Sequence, residues 1–164
     1  MGEEANIENV SISLFSSAGI GDLGIEYGCN IPVILSAELL QKRCNLIRHN
    51  YPNCEVVMGD LRKTKMQIIS KAKHILNKKR PLLVTLSPPC QGMSTNGAGK
   101  ISAQVKKGKR PKHDERNKLL LPGLEIVKAL QPEFFLIENV PNMKNTVVVI
   151  KKRKPIKMKS GIGH

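Results

Sequence analysis

The chain has 164 residues, of which 27 are Lys or Arg and 13 Asp or Glu, a formal net charge of +14. That length suits one domain around one core, and the charge suits a polyanionic partner, although basic charge alone is also compatible with a merely soluble surface. Aromatic residues make up only 3% and Trp is missing, which argues against a stacking platform for single-stranded nucleic acid, and no apolar run is long enough to span a bilayer.

Residues 1–6 are acidic and polar, without the basic and apolar parts of a signal peptide. Cys29, Cys44, Cys54 and Cys90 form no C-x-x-C pair and have no His at zinc-ligand spacing, so no metal site is expected. A reduced, intracellular protein is predicted, cytoplasmic if the host is a prokaryote.

Val10-Ser11-Ile12-Ser13-Leu14-Phe15 alternates as a strand does and runs into Ser16-Ser17-Ala18-Gly19-Ile20-Gly21, a small-residue turn before a helix. Glycines there let backbone N–H groups approach a ligand, although the spacing is not the G-x-G-x-x-G dinucleotide fingerprint. Ile31-Pro32-Val33-Ile34-Leu35-Ser36-Ala37-Glu38 reads as a second strand ending in an acid. Glu38 has two readings: an acceptor for ribose hydroxyls at a strand end, or a charge at the start of the next helix. That helix is predicted over 39–50 with Leu39, Leu40, Cys44 and Ile47 on its apolar side, and Tyr51-Pro52-Asn53 ends it. Residues 54–58 form a third strand leading to Gly59-Asp60-Leu61. A basic amphipathic helix follows over 64–79, with Met66, Ile69, Ile75 and Leu76 as its stripe.

Pro81-Leu82-Leu83-Val84-Thr85-Leu86 is a fourth strand that Pro88-Pro89 must stop, since proline offers no N–H. Cys90 is thereby presented at a strand end, as a nucleophile or as a structural cysteine beside a turn. Residues 95–112 form a Gly- and Lys-rich loop, read either as suited to phosphate contact or as a solvated loop with no partner. A helix over 119–130, irregular near Pro122-Gly123, precedes a fifth strand, 133–137, that delivers Glu138-Asn139-Val140-Pro141. Alternating strands and helices imply an α/β fold with a doubly wound parallel sheet, its strand ends gathering the glycine turn, Glu38, Asp60, Cys90 and Glu138 at one edge. Residues 146–150 could add a sixth strand, and 151–159 read as part of a basic, disordered tail.

In this order the motifs closely resemble the N-terminal part of the cytosine-5 DNA methyltransferases, from about Ser11 to Pro141. The resemblance implies a Rossmann-like S-adenosylmethionine-dependent fold, a catalytic domain over 1–145 and a basic tail over 146–164. It makes Phe15, Gly19, Ile20, Glu38, Asp60, Leu61, Pro89 and Leu119 the binding residues for S-adenosyl-L-methionine. Cys90 becomes the nucleophile and Glu138 its catalytic partner, with Gln91, Ser94, Arg116 and Asn139 on the substrate. The implied activity is methyl transfer to C5 of cytosine in double-stranded DNA, of restriction-modification type. Gly92 and Ser94 after Cys90-Gln91 fit the DNA enzymes better than the RNA-methylating branch. Ser17 departs from the family's usual Gly, and the motifs expected beyond Asn142 are not found. A catalytically silent cofactor- or DNA-binding fragment is thus the alternative, with one sheet edge left uncovered, and a second polypeptide is a candidate partner.

Overall fold

The computed structural model describes residues 7–90, 115–141, 143, 147–148 and 156–157. It divides into two compact units, one made of Met1–Pro88 with Leu120–Glu138, the other of Pro89–Leu119 with Asn139–His164.

The first unit holds five strands: β1 (Ile7–Leu14), β2 (Val33–Glu38), β3 (Glu55–Met58), β4 (Arg80–Leu86) and β5 (Phe134–Ile137). Its helices are α1 (Ile20–Leu23), which widens into a π-helical turn over Gly24–Gly28, α2 (Gln41–Asn50), α3 (Leu61–Leu76) and α4 (Leu120–Leu130). The strands make one parallel sheet in the order β3-β2-β1-β4-β5. The order reverses at β1, and because parallel crossovers are right-handed, the helices before and after that reversal cover opposite faces. Accordingly α3 and α4 pack together and are bridged by Lys65 and Glu125.

Strands covered on both faces lose the solvent side that alternation suggests. In β1 the apolar Ile12 and Leu14 are buried, but so are Ser11 and Ser13 on the opposite face. The serine face is a buried polar layer rather than a wet surface. In β4, Pro81 lies beside the register irregularity between Glu8 and Ser11, a position where a missing ladder N–H is tolerated.

Two predicted apolar stripes are corrected. Helix α2 starts at Gln41, leaving Leu39 and Leu40 exposed and only Cys44 and Ile47 buried from that set. In α3 the buried residues are Leu61, Ile68, Ala72 and Leu76, while Met66 and Ile75 are exposed. The reason is the start of the helix: Asp60 caps it four residues before the predicted first residue, and Leu61 enters the core. Gly123 also reads differently. A Cβ there would lie 2.6 Å from Leu86 Cδ2, so the glycine lets α4 approach β4 closely.

At the sheet's far edge, Phe134, Phe135 and Leu136 of β5 are 60%, 55% and 52% exposed. Since consecutive residues point to opposite faces, side chains on both faces of β5, the last strand of the sheet among the described residues, are exposed.

The second unit includes a 3-10 turn, Glu115–Leu119, and an antiparallel pair, β6 (Val147–Val148) with β7 (Ile156–Lys157). From the region predicted as a tail only those two short strands are described. The loop predicted over 95–112 lies outside the described residues.

Candidate active site

Register brings the strand ends of the first unit together. Leu14 pairs with Ala37 and with Leu86, Glu38 with Met58, and Leu86 with Ile137. Backbone bonds extend the alignment beyond the strands: Ser16 N–H donates to Ala37 O (3.1 Å), Gly59 N–H to Glu38 O (2.9 Å), Ser87 N–H to Leu14 O (3.1 Å) and Glu138 N–H to Leu86 O (2.9 Å). The glycine turn, Glu38, Asp60 and Glu138 therefore share one edge, as the alternating pattern predicts.

The turn after β1 is strained. Phe15, Ser17 and Gly19 all have positive φ, at 61°, 54° and 78°. For the two residues with a Cβ this conformation costs roughly 1–2 kcal/mol each, so the surroundings must hold it, and strain of this kind gathers where ligands bind. Ser16 Oγ donates to Ser13 O at 2.9 Å, and Gly19 N–H to Ser16 O at 2.9 Å. From the neighbouring strand, Glu38 Oε2 accepts Ser17 N–H at 2.9 Å. Ser17, where the resemblance leads one to expect Gly, thus occupies a backbone conformation that favours Gly.

Glu38 is only 6% exposed. Its Oε1 accepts Leu40 N–H at 2.9 Å and faces Arg43 Nη1 at 3.8 Å. The carboxylate therefore organises the helix entry and also anchors the glycine turn. A carboxylate has about four acceptor positions, so two backbone N–H groups leave capacity for the hydroxyls of a ribose. The donor chemistry fits a nucleoside cofactor.

Asp60 caps α3, accepting Arg62 N–H at 2.9 Å and Arg62 Nε at 3.0 and 3.1 Å. The hydrogen bond from the Arg62 side chain holds its carboxyl below the ordinary carboxylate value. Leu61 is buried, Ile20 is 73% exposed at the start of α1, and Phe15 is half-buried near Gly123. Glu138 is exposed at the end of β5.

The remaining predicted residues belong to the second unit. Pro89 and Cys90 are half-buried, and Cys90 is a free thiol. Arg116 and Leu119, also half-buried, lie on the 3-10 turn. Asn139 Oδ1 accepts Val140 N–H at 2.8 Å. Gln91 and Ser94 lie outside the described residues. Of the other cysteines, Cys44 and Cys54 are buried and Cys29 is exposed. Burial raises the Cys44 thiol and pushes Cys54 up to about 11, which leaves both as inert core thiols.

Two residues beneath the turn were not singled out by sequence. Asp22 is 4% exposed, and its Oδ2 has no hydrogen-bond partner among the described residues. Burial raises its pKa, partly opposed by the Ser13 hydroxyl. Tyr51 is 5% exposed and its hydroxyl donates to Gly19 O at 2.7 Å. An acid after a glycine turn reads as an ordinary first-turn helix charge, and a Tyr before Pro-Asn reads as a stop.

A parallel α/β sheet reversing at β1, with a strained glycine turn and a buried acid at its carboxyl edge, is a Rossmann-like fold. Residues 10–153 match the family model of the C-5 cytosine-specific DNA methylases. The chain belongs to that family. It is 36% identical over 149 residues to the type II methyltransferase M1.HgaI of Avibacterium volantium, covering 90% of this chain and 39% of that protein. With M1.HphI of Haemophilus parahaemolyticus identity is 35%, over 80% of this chain and 32% of the relative. The chain thus spans about two fifths or less of these relatives. A candidate DNA modification methyltransferase from an E. coli prophage superposes with a TM-score of 0.62 at 29% identity, over 83% of this chain and 33% of that one. Dnmt2 of Spodoptera frugiperda, at 20% identity and TM-score 0.53, shares the fold.

Proposed function

We propose that this chain is the cofactor-binding and nucleophile-bearing part of a DNA (cytosine-5) methyltransferase of restriction-modification type. The observation that carries the reading is the common carboxyl edge of the five strands, where the strained turn at Phe15–Gly19 is tied to the buried carboxylate of Glu38.

Phe15, Gly19, Ile20, Glu38, Asp60, Leu61, Pro89 and Leu119 would hold S-adenosyl-L-methionine, with Glu38 accepting from its ribose. When bound, its sulfonium supplies an electrophilic methyl group. C5 of cytosine is a weak nucleophile, and the Cys90 thiolate overcomes this by forming a bond to C6, which raises electron density at C5. Glu138 hydrogen-bonds N3 and the exocyclic amine, stabilising the ring as negative charge builds there. After C5 carries its methyl group, loss of the C5 proton lets the C6–S bond break and returns the Cys90 thiolate. Gln91, Ser94, Arg116 and Asn139 would contact the nucleotide, which must leave the helical stack to expose its ring. The net positive charge supports attraction to the DNA backbone.

Duplex DNA carrying 5-fluorocytosine tests the reading, because fluorine cannot leave as a proton does. With S-adenosylmethionine the protein should form a covalent complex that resists denaturant and is absent in Cys90→Ser. A complex that survives Cys90→Ser refutes the assignment of the nucleophile. The assay is run with and without candidate partner polypeptides, since a second chain is part of this proposal. Bisulfite mapping reads the sequence choice; efficient site-specific methylation by this chain alone overturns the need for a partner.

A further inference from the structure

Tyr51 follows the last residue of α2, where its N–H donates to Ile47 O at 2.8 Å and Pro52 prevents the helix from continuing. Its ring is enclosed by Val33, Ile47 and Cys54, with Val56 against the same cluster. A phenol in such a place needs a partner for its hydroxyl. It finds one 32 residues earlier, the carbonyl of Gly19, at 2.7 Å. Burial pushes Tyr51 up to about 12, so the hydroxyl remains a neutral donor at any working pH. The ring also fills the space beside the glycine: a Cβ on residue 19 would lie 2.6 Å from Tyr51 Cε2.

The contact bears on the turn as a whole. Gly19 O also accepts Leu23 N–H at 3.3 Å, the first bond of α1. Because the peptide group is planar, holding this oxygen fixes the whole Gly19–Ile20 peptide, including the N–H of Ile20. The other ties to the turn, from Ala37 O and Glu38 Oε2, reach Ser16 and Ser17. One segment of chain, from the end of β2 to the end of α2, thus grips the turn at both of its ends.

We infer that Tyr51 is a positioning residue for the cofactor site, its hydroxyl holding the Gly19 end of the turn in the left-handed conformation that ligand binding uses. The inference rests on the cofactor reading above. Its distinguishing feature is that one hydroxyl governs the turn's order separately from the stability of the core that carries it.

The test compares the wild type with Tyr51→Phe, which keeps the ring, and with p-aminophenylalanine at position 51, which restores a donor. Hydrogen exchange of the unliganded proteins is followed at 16–21 and in α2, and calorimetry measures S-adenosylmethionine binding. In Tyr51→Phe, exchange at 16–21 should accelerate while that in α2 is unchanged, and affinity should fall about tenfold, the scale of one hydrogen bond. The p-amino variant should recover both. Equal acceleration in the turn and in α2, or unchanged exchange in both, overturns the inference, as does an affinity loss that the restored donor does not reverse. Failure of the wild type to bind S-adenosylmethionine would defeat the cofactor reading instead, and the exchange comparison would still decide whether Tyr51 orders the turn. Should Tyr51→Phe not fold, a folded p-amino variant with wild-type turn exchange supports the inference and one with faster exchange confined to 16–21 overturns it.

Discussion

Gly19→Ala places two separate costs on one methyl group. At φ 78° an L side chain pays the left-handed penalty of roughly 1–2 kcal/mol. The new Cβ would also stand 2.6 Å from Tyr51 Cε2, well inside contact distance. The ring cannot swing away, since it is 5% exposed and its hydroxyl is bonded to the same residue, so overpacking adds about 1–3 kcal/mol. The expected loss is therefore about 2–5 kcal/mol, a large share of the roughly 5–15 kcal/mol that stabilises an ordinary domain. Gly24→Ala is the control: its φ is −63° and ψ −36°, and a Cβ there meets nothing within 4 Å. That substitution should stabilise, by up to about 1 kcal/mol, through lower chain entropy in the unfolded state. Urea unfolding followed by circular dichroism should lower the midpoint for Gly19→Ala by about 1–2 M and raise it slightly for Gly24→Ala. If the two variants unfold at the same urea concentration, neither the left-handed conformation nor the collision with Tyr51 governs the turn.

Ser17→Gly should relieve strain at φ 54° while keeping the N–H that Glu38 accepts, and thus raise stability by up to about 1 kcal/mol; a lower unfolding midpoint would contradict this. Glu38→Ala should lose both stability and S-adenosylmethionine affinity, since it strands the N–H groups of Ser17 and Leu40 at about 1–3 kcal/mol each; calorimetry showing wild-type affinity would remove Glu38 from the site. Burial raises the Asp22 carboxyl above its ordinary 3.8, so the native state binds its proton more tightly than the unfolded chain, and the stability this contributes is lost as pH rises from 3.8 through the raised value. Asp22→Asn removes that slope and should gain on the wild type as pH rises above 3.8; urea midpoints that run parallel through that rise would argue against it. Asp60→Ala should cost about 1 kcal/mol through loss of the α3 cap, and thermal unfolding indistinguishable from wild type would show that the cap is not needed.

The order of elements was legible because each strand carries its own stop. Glu38 precedes exposed leucines, Gly59-Asp60 breaks the chain before α3, and Pro88-Pro89 ends β4, so the parallel pairing followed from alternation alone. Where the expected faces failed, the cause was the starting point of a helix. Moving the start of α3 from Thr64 to Leu61 rotates the choice of buried residues, and Met66 and Ile75 turn outward while Ile68 and Ala72 turn inward. Spacing identifies a stripe only after the tertiary partner has chosen among nearby stripes. The serines of β1 pose the same difficulty, since alternation cannot say whether the polar face meets water or, as here, a buried acid.

For the candidate site, the acids and glycines were visible because their side chains, or lack of them, carry the chemistry. Tyr51 was hidden for a corresponding reason. Its partner is a backbone carbonyl, and no side chain at Gly19 advertises that an acceptor is there. Even the glycine pointed elsewhere: it suggested close approach by a ligand, whereas the atom nearest its missing Cβ is the tyrosine ring. The same glycine can serve both purposes, because the ring fills one side of it and leaves the peptide fixed on the other. Such a contact depends on α2 ending at Asn50, so that the next residue faces the turn. Lengthening α2 by one residue would rotate the hydroxyl by about 100° around the helix and leave Gly19 O bonded only to Leu23.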